Sequence, residues 1–72
     1  MALLIAVGGF GDFGADPFNT SDDAPAGLDL NDKRACRDAI AKLKQLPIGS
    51  IDYVLVVEND QVIHNYGGQD GF

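Results

Sequence analysis

Seventy-two residues with one cysteine and a formal charge of −6 make one small domain, of a size that buries only about 60% of its unfolded surface and has no internal disulfide to help it. The lone thiol fits a reducing compartment, and the apolar start from Met1 to Val7 has neither the basic flank of a signal peptide nor the length of a membrane span, so a cytoplasmic protein without membrane contact is expected. All five bases, Lys33, Arg34, Arg37, Lys42 and Lys44, fall in one twelve-residue window, and the flanking residues 1–32 and 45–72 carry six and four acids with no base, a layout that repels nucleic-acid phosphate and suits a basic protein partner.

Leu3 to Val7 reads as a short buried strand ended by Gly8-Gly9. Residues 8–28 follow with no helical or strand period and with four Asp among Gly and Pro. They are expected to form one long acidic loop, well beyond the usual limit of roughly 12–15 residues. Phe10, Phe13 and Phe18 set this loop apart from disordered segments, which are poor in aromatics, and the rings should tie part of it down. A helix comes next. Asp29 or Asn31 supplies its N-cap and Asp32 its acidic first turn. Cys36, Ala39, Ile40, Leu43 and Leu46 recur at three- and four-residue spacing as one apolar stripe, and Pro47 ends the helix. Asp38 and Lys42 stand four apart, as helix ion pairs do.

Ser50 to Tyr66 reads as two strands joined at Asn59-Asp60, a pair that tolerates the positive φ of a two-residue hairpin loop. An uninterrupted register puts Tyr53, Leu55, Val57, Val62, His64 and Tyr66 on one face, and Val54, Val56, Ile63 and Asn65 on the other. One helix can cover only one of these faces. The phenylalanine-bearing loop or another copy of the chain must then cover the second. Two strands alone are marginal in water, so the N-terminal strand should join them. The order β-long loop-α-β-β predicts an α+β domain, a three-stranded mixed sheet with a right-handed crossover and one helix packed on one face. Residues 67–72 are expected as a flexible tail.

Several motifs invite a chemical reading. Gly9-Phe10-Gly11-Asp12-Phe13-Gly14 matches G-x-G-x-x-G after a strand, yet Ala15-Asp16-Pro17 opens no helix there, and Asp12 and Asp16 repel phosphate. No nucleotide cofactor is expected, and the glycines serve turns. Asp12-Phe13-Gly14 spells the magnesium-binding tripeptide of protein kinases over three residues and nothing more. Asp16, Asn19, Asp22 and Asp23 are oxygen donors without the alternate spacing, central Gly and closing Glu of a calcium loop, so turn chemistry explains them and no metal is expected. Cys36 falls on the apolar stripe and His64 on a strand among aromatic neighbours. A nucleophilic cysteine needs an adjacent base and a thiolate-stabilising setting, so catalysis is not expected of this pair.

The aspartates at 12, 16, 22, 23, 29 and 32 remain, interleaved with Phe13 and Phe18. Aromatic anchors inside a charged rim are how binding hot spots are built, and charge steers the encounter. In size, acidity, single cysteine and lack of a catalytic motif, the chain resembles small acidic phage-encoded inhibitors of the anti-CRISPR and DNA-mimic type. The resemblance is compositional, runs over the whole length and transfers no residue roles. It implies a non-enzymatic inhibitor that occupies the basic, nucleic-acid-handling surface of a larger protein in the host cytoplasm. Asp12, Asp16, Asp22, Asp23, Asp29 and Asp32 would then supply the field, and Phe13 and Phe18 the anchors. A second expectation is a structural subunit that self-associates, as a homodimer or larger assembly, through the apolar sheet face of Tyr53, Leu55, Val62 and Tyr66.

Overall fold

The computed structural model describes residues 1–9, 17–68 and 71–72. Four strands and one α-helix follow in the order β1 (Leu3–Gly8), β2 (Phe18–Asp23), α1 (Lys33–Lys44), β3 (Ile51–Glu58) and β4 (Gln61–Gly67), with a 3-10 turn at Ile48–Ser50 before β3. The strands form one sheet in the order β2-β1-β3-β4, antiparallel throughout. The fold is α+β with one helix, as expected, but the sheet is neither three-stranded nor mixed. The extra strand lies inside the expected loop: Phe18–Asp23 pairs along the whole of β1, from Gly8↔Phe18 to Leu3↔Asp23. After α1, the Pro47–Ser50 turn delivers the chain to the Gly8 end of β1, where the Gly9 N–H donates to the Ser50 carbonyl at 3.0 Å. β3 therefore starts where β1 ends and runs antiparallel to it.

Local chemistry explains the helix limits. Asp32, expected in the first turn, is itself the N-cap, and its carboxylate accepts from the N–H groups of Arg34 and Ala35, both at 3.1 Å. Asp29 instead closes a turn ahead of the helix, accepting from the Asn31 N–H at 3.0 Å. At the far end Gln45 takes the left-handed conformation, and the Leu46 N–H returns to the Ala41 carbonyl at 2.9 Å, which stops the helix before Pro47. Asp38 pairs with its neighbour Arg37 at 3.0 Å rather than with Lys42.

The β3–β4 hairpin turns at Asn59 and Asp60, both with positive φ, as read from the sequence. Its register is not the uninterrupted one. Glu58↔Gln61 and Val57↔Val62 pair directly, then Val56 pairs with His64, so Ile63 is an extra residue in β4. This bulge corrects the expected faces. His64 and Tyr66 join Val54 and Val56 on the helix side, and Val62 and Ile63 stay exposed. The shift lets the Tyr66 hydroxyl donate to the Leu30 carbonyl at 2.7 Å, tying the edge strand to the turn before α1.

The core lies between α1 and one face of the sheet: Ala2, Leu4 and Ala6 from β1 and its lead-in, Ile51, Val54 and Val56 from β3, and Cys36, Ile40 and Ala41 from α1. Phe72 packs against it too. Its ring lies 5.1 Å from the Arg37 guanidinium, and Arg34 donates to its carbonyl at 3.4 Å. The expected loose tail is thus anchored at its last residue, and Gly67 belongs to β4. Among the described residues, no helix is long and apolar enough to cross a membrane.

Candidate functional site

The opposite face of the sheet can be read off as a grid. Pairing aligns three rows across β2, β1, β3 and β4: Asp23, Leu3, Val57 and Val62; then Ser21, Ile5, Leu55 and Asn65; then Asn19, Val7, Tyr53 and Gly67. The two central columns are wholly apolar, and no described helix or strand lies over them. The β2 column is polar. None of the five bases belongs to this face, because all of them sit on α1 in the other layer.

Of the expected site residues, Asp12, Phe13 and Asp16 lie outside the described residues, as does most of the G-x-G-x-x-G match. Phe18 is half-buried and packs toward the core on the helix side, so its ring serves the fold. Asp22 also faces that side, with a carboxylate oxygen 3.8 Å from the Lys44 ammonium, and it accepts from the Asp23 N–H at 2.8 Å. Asp23 is exposed, at a corner of the open face. Asp29 and Asp32 are exposed but engaged in the turn and cap before α1. Asp22 and Asp23 therefore adjoin on β2 but face opposite sides of the sheet, and Asp29 and Asp32 belong to the turn and cap before α1.

Two acids missing from the sequence-based site share the end of the sheet with Asp22 and Asp23. Asp23 pairs with Leu3, Leu3 with Val57, and the chain then runs through Glu58 into the Asn59-Asp60 tip. Glu58 and Asp60 read as hairpin residues, and only the register places them at the same end of the sheet as Asp23, with β1 between. The outward residues Leu3, Ile5 and Val7 were missed because a short apolar run signals burial on both sides.

Cys36 is fully buried, and its thiol lies 3.7 Å from the carbonyl oxygens of both Asp29 and Leu30. Burial pushes its pKa up, and the nearby carboxylates of Asp32 and Asp29 push the same way. Such a thiol stays protonated, the opposite of what a nucleophile needs. His64 stacks on Tyr66, with ring centroids 5.1 Å apart and planes 13° from parallel. The Tyr66 hydroxyl is also raised, by burial first and then by Cys36, Asp29 and Asp32. No group of three His, Cys, Asp or Glu side chains among the described residues is placed to hold a metal ion. Comparison with protein-family models, curated proteins and solved structures finds no match for this chain.

Proposed function

We propose that this chain is a non-enzymatic binding protein that seats its acidic sheet end on a basic, nucleic-acid-handling surface of a larger protein, in the manner of the small acidic inhibitors it resembles in composition. The observation that carries this reading is the separation of charge. Every Lys and Arg is on α1, while Asp22, Asp23, Glu58 and Asp60 all lie at one end of the sheet, where, among the described residues, Lys44 comes within ion-pair distance of Asp22. Hydrogen-bonded antiparallel strands hold these short acidic side chains in a fixed pattern, which suits them to displace phosphate from a cationic groove.

The test uses the immobilised full chain and a host lysate, with captured proteins identified by mass spectrometry. A nucleic-acid-binding protein should be retained, be released as salt rises from about 0.15 to about 1 M, where the screening length falls from about 8 to about 3 Å, and compete with double-stranded DNA. The double reversal Asp23→Lys with Asp60→Lys should abolish capture. Undiminished capture by that variant refutes the proposal. The apolar face, over which no described helix or strand lies, favours, in addition, self-association.

A further inference from the structure

We propose that the open face of the sheet is the interface of a homodimer, in which two copies pack sheet on sheet about a twofold axis perpendicular to the strands. The first support is area. Four strands about 4.8 Å apart and six residues at about 3.4 Å each give a face of roughly 20 Å by 20 Å. With side-chain relief, two such faces bury on the order of 1,000 Å² in total, the size at which specific interfaces part from casual contacts. The centre of that area is apolar, with Leu3, Ile5 and Val7 beside Tyr53, Leu55 and Val57, whereas the polar column of β2 and the end of β4 lie at its margins. An apolar centre with a polar rim is the anatomy of an interface.

The second support is the pattern itself, which discriminates between the two ways of placing the twofold axis. An axis along the strands sets β2 over β4 of the second copy. It places Asp23 against Val62 and crowds the acidic ends of both copies, each with Asp22, Asp23, Glu58 and Asp60, at one pole. An axis across the strands sets each strand over its own counterpart with the rows reversed. Asp23 then meets Asn19 of the second copy, and Ser21 meets Ser21. Leu3 meets Val7, Val57 meets Tyr53, and Leu55 meets Leu55. The bulky Val62 lies over Gly67. In this arrangement polar positions face polar ones, apolar face apolar, and large faces small. The acidic ends go to opposite poles, where they do not repel. Of these two placements, the axis across the strands is the one that makes the face complementary to itself, as an isologous interface requires. Twist turns the two sheets to about 30° about the centre, which keeps Leu55 over Leu55 and Ile5 over Ile5 and moves the corners most.

The arrangement goes beyond the proposed function and is tested independently of it, by mass rather than by capture. Sedimentation of the full chain at about 50 μM, well above the micromolar affinity at the weak end of standard-sized interfaces, should give twice the 7.6 kDa chain mass. Leu55→Lys should shift it to monomer. Because Leu55 lies on a central strand, a second pair of variants reads the orientation on an edge strand and a turn instead. Ser21→Cys, which faces its own counterpart, should be joined into a covalent dimer by a short bismaleimide, while Asp60→Cys, at opposite poles, should not. The buried Cys36 thiol stays out of reach of the reagent. A monomer mass for the parent chain overturns the proposal, and so does a dimer that cross-links through Asp60→Cys and not through Ser21→Cys.

Discussion

An alanine at Gly8 would put a methyl group into the joint between β1 and the start of β3. Built on the existing backbone, the new Cβ overlaps the Ser50 carbonyl oxygen and lies 2.7 Å from Phe18 Cζ and 2.9 Å from the Ser50 carbonyl carbon. Two of these obstacles are backbone, which cannot rotate aside as a side chain can. Relief requires β1 and Ser50 to separate, which breaks the 3.0 Å hydrogen bond from the Gly9 N–H to that same oxygen. Overpacking costs about 1–3 kcal/mol and the lost hydrogen bond about 1 kcal/mol, so the expected loss is about 2–4 kcal/mol. A domain of 72 residues has only about 4–11 kcal/mol in total. The melting temperature of Gly8→Ala, followed by far-UV circular dichroism, should therefore fall by roughly 10 °C or more. Gly49→Ala is the control, because nothing lies within 4 Å of its Cβ and its φ is not in the positive range. A Gly8→Ala protein that melts with the Gly49→Ala control would refute the close approach and the β1–β3 register behind it.

Asp32→Ala removes the acceptor of two helix N–H groups and should lower stability by about 1 kcal/mol, read as a shift in urea midpoint that Asp32→Asn largely restores. Asp29→Ala, which frees a single exposed N–H, should cost less than half as much. Stability should also fall in alkali. The raised pKa values of Cys36 and Tyr66 mean that the native state favours their protonated forms. Their contribution is whole below the ordinary values of 9.0 and 10.0 and is lost as pH rises through the raised native ones. Melting temperatures should thus decline above about pH 9, the ordinary range for a free thiol, and Cys36→Ala should flatten the first part of that decline.

Some elements announced themselves because local chemistry and tertiary need agree. Asn59-Asp60 between β-branched arms could be little but a hairpin, and the stripe of Cys36, Ile40 and their neighbours ahead of Pro47 little but a helix. β2 was illegible because Asn19, Asp22 and Asp23 are poor strand formers that outweigh Phe18 and Thr20; it is a strand because β1 offers it a free edge. The bulge at Ile63 was hidden for a similar reason. It sets Tyr66 against the Leu30 carbonyl, a partner 36 residues away that the local sequence does not show. In the candidate site, the exposed Asp23 could be anticipated from the acidic run, but Asp29 and Asp32 are held by neighbouring N–H groups. Short carboxylates ahead of a helix do this whatever else they might bind. Gly-Gly-Gln-Asp-Gly-Phe has the composition of a tail, and only the folded helix shows that Arg37 and the core await its final ring.

The place of β1 in the sheet also bears on how fast the domain folds. α1 and the β3–β4 hairpin are local structures of the kind that form within microseconds. β1 sits at the centre of the sheet between β2 and β3, and its pairing with β3 joins Leu3 to Val57 and Gly8 to Ile51, residues from opposite ends of the chain. That closure has to meet its entropy cost before any contact across the seam rewards it, so the β1–β3 seam sets the folding rate. Synthesis sharpens the order. β1 is made well before β3, so one whole edge of this apolar strand waits for its partner while the residues between them are synthesised.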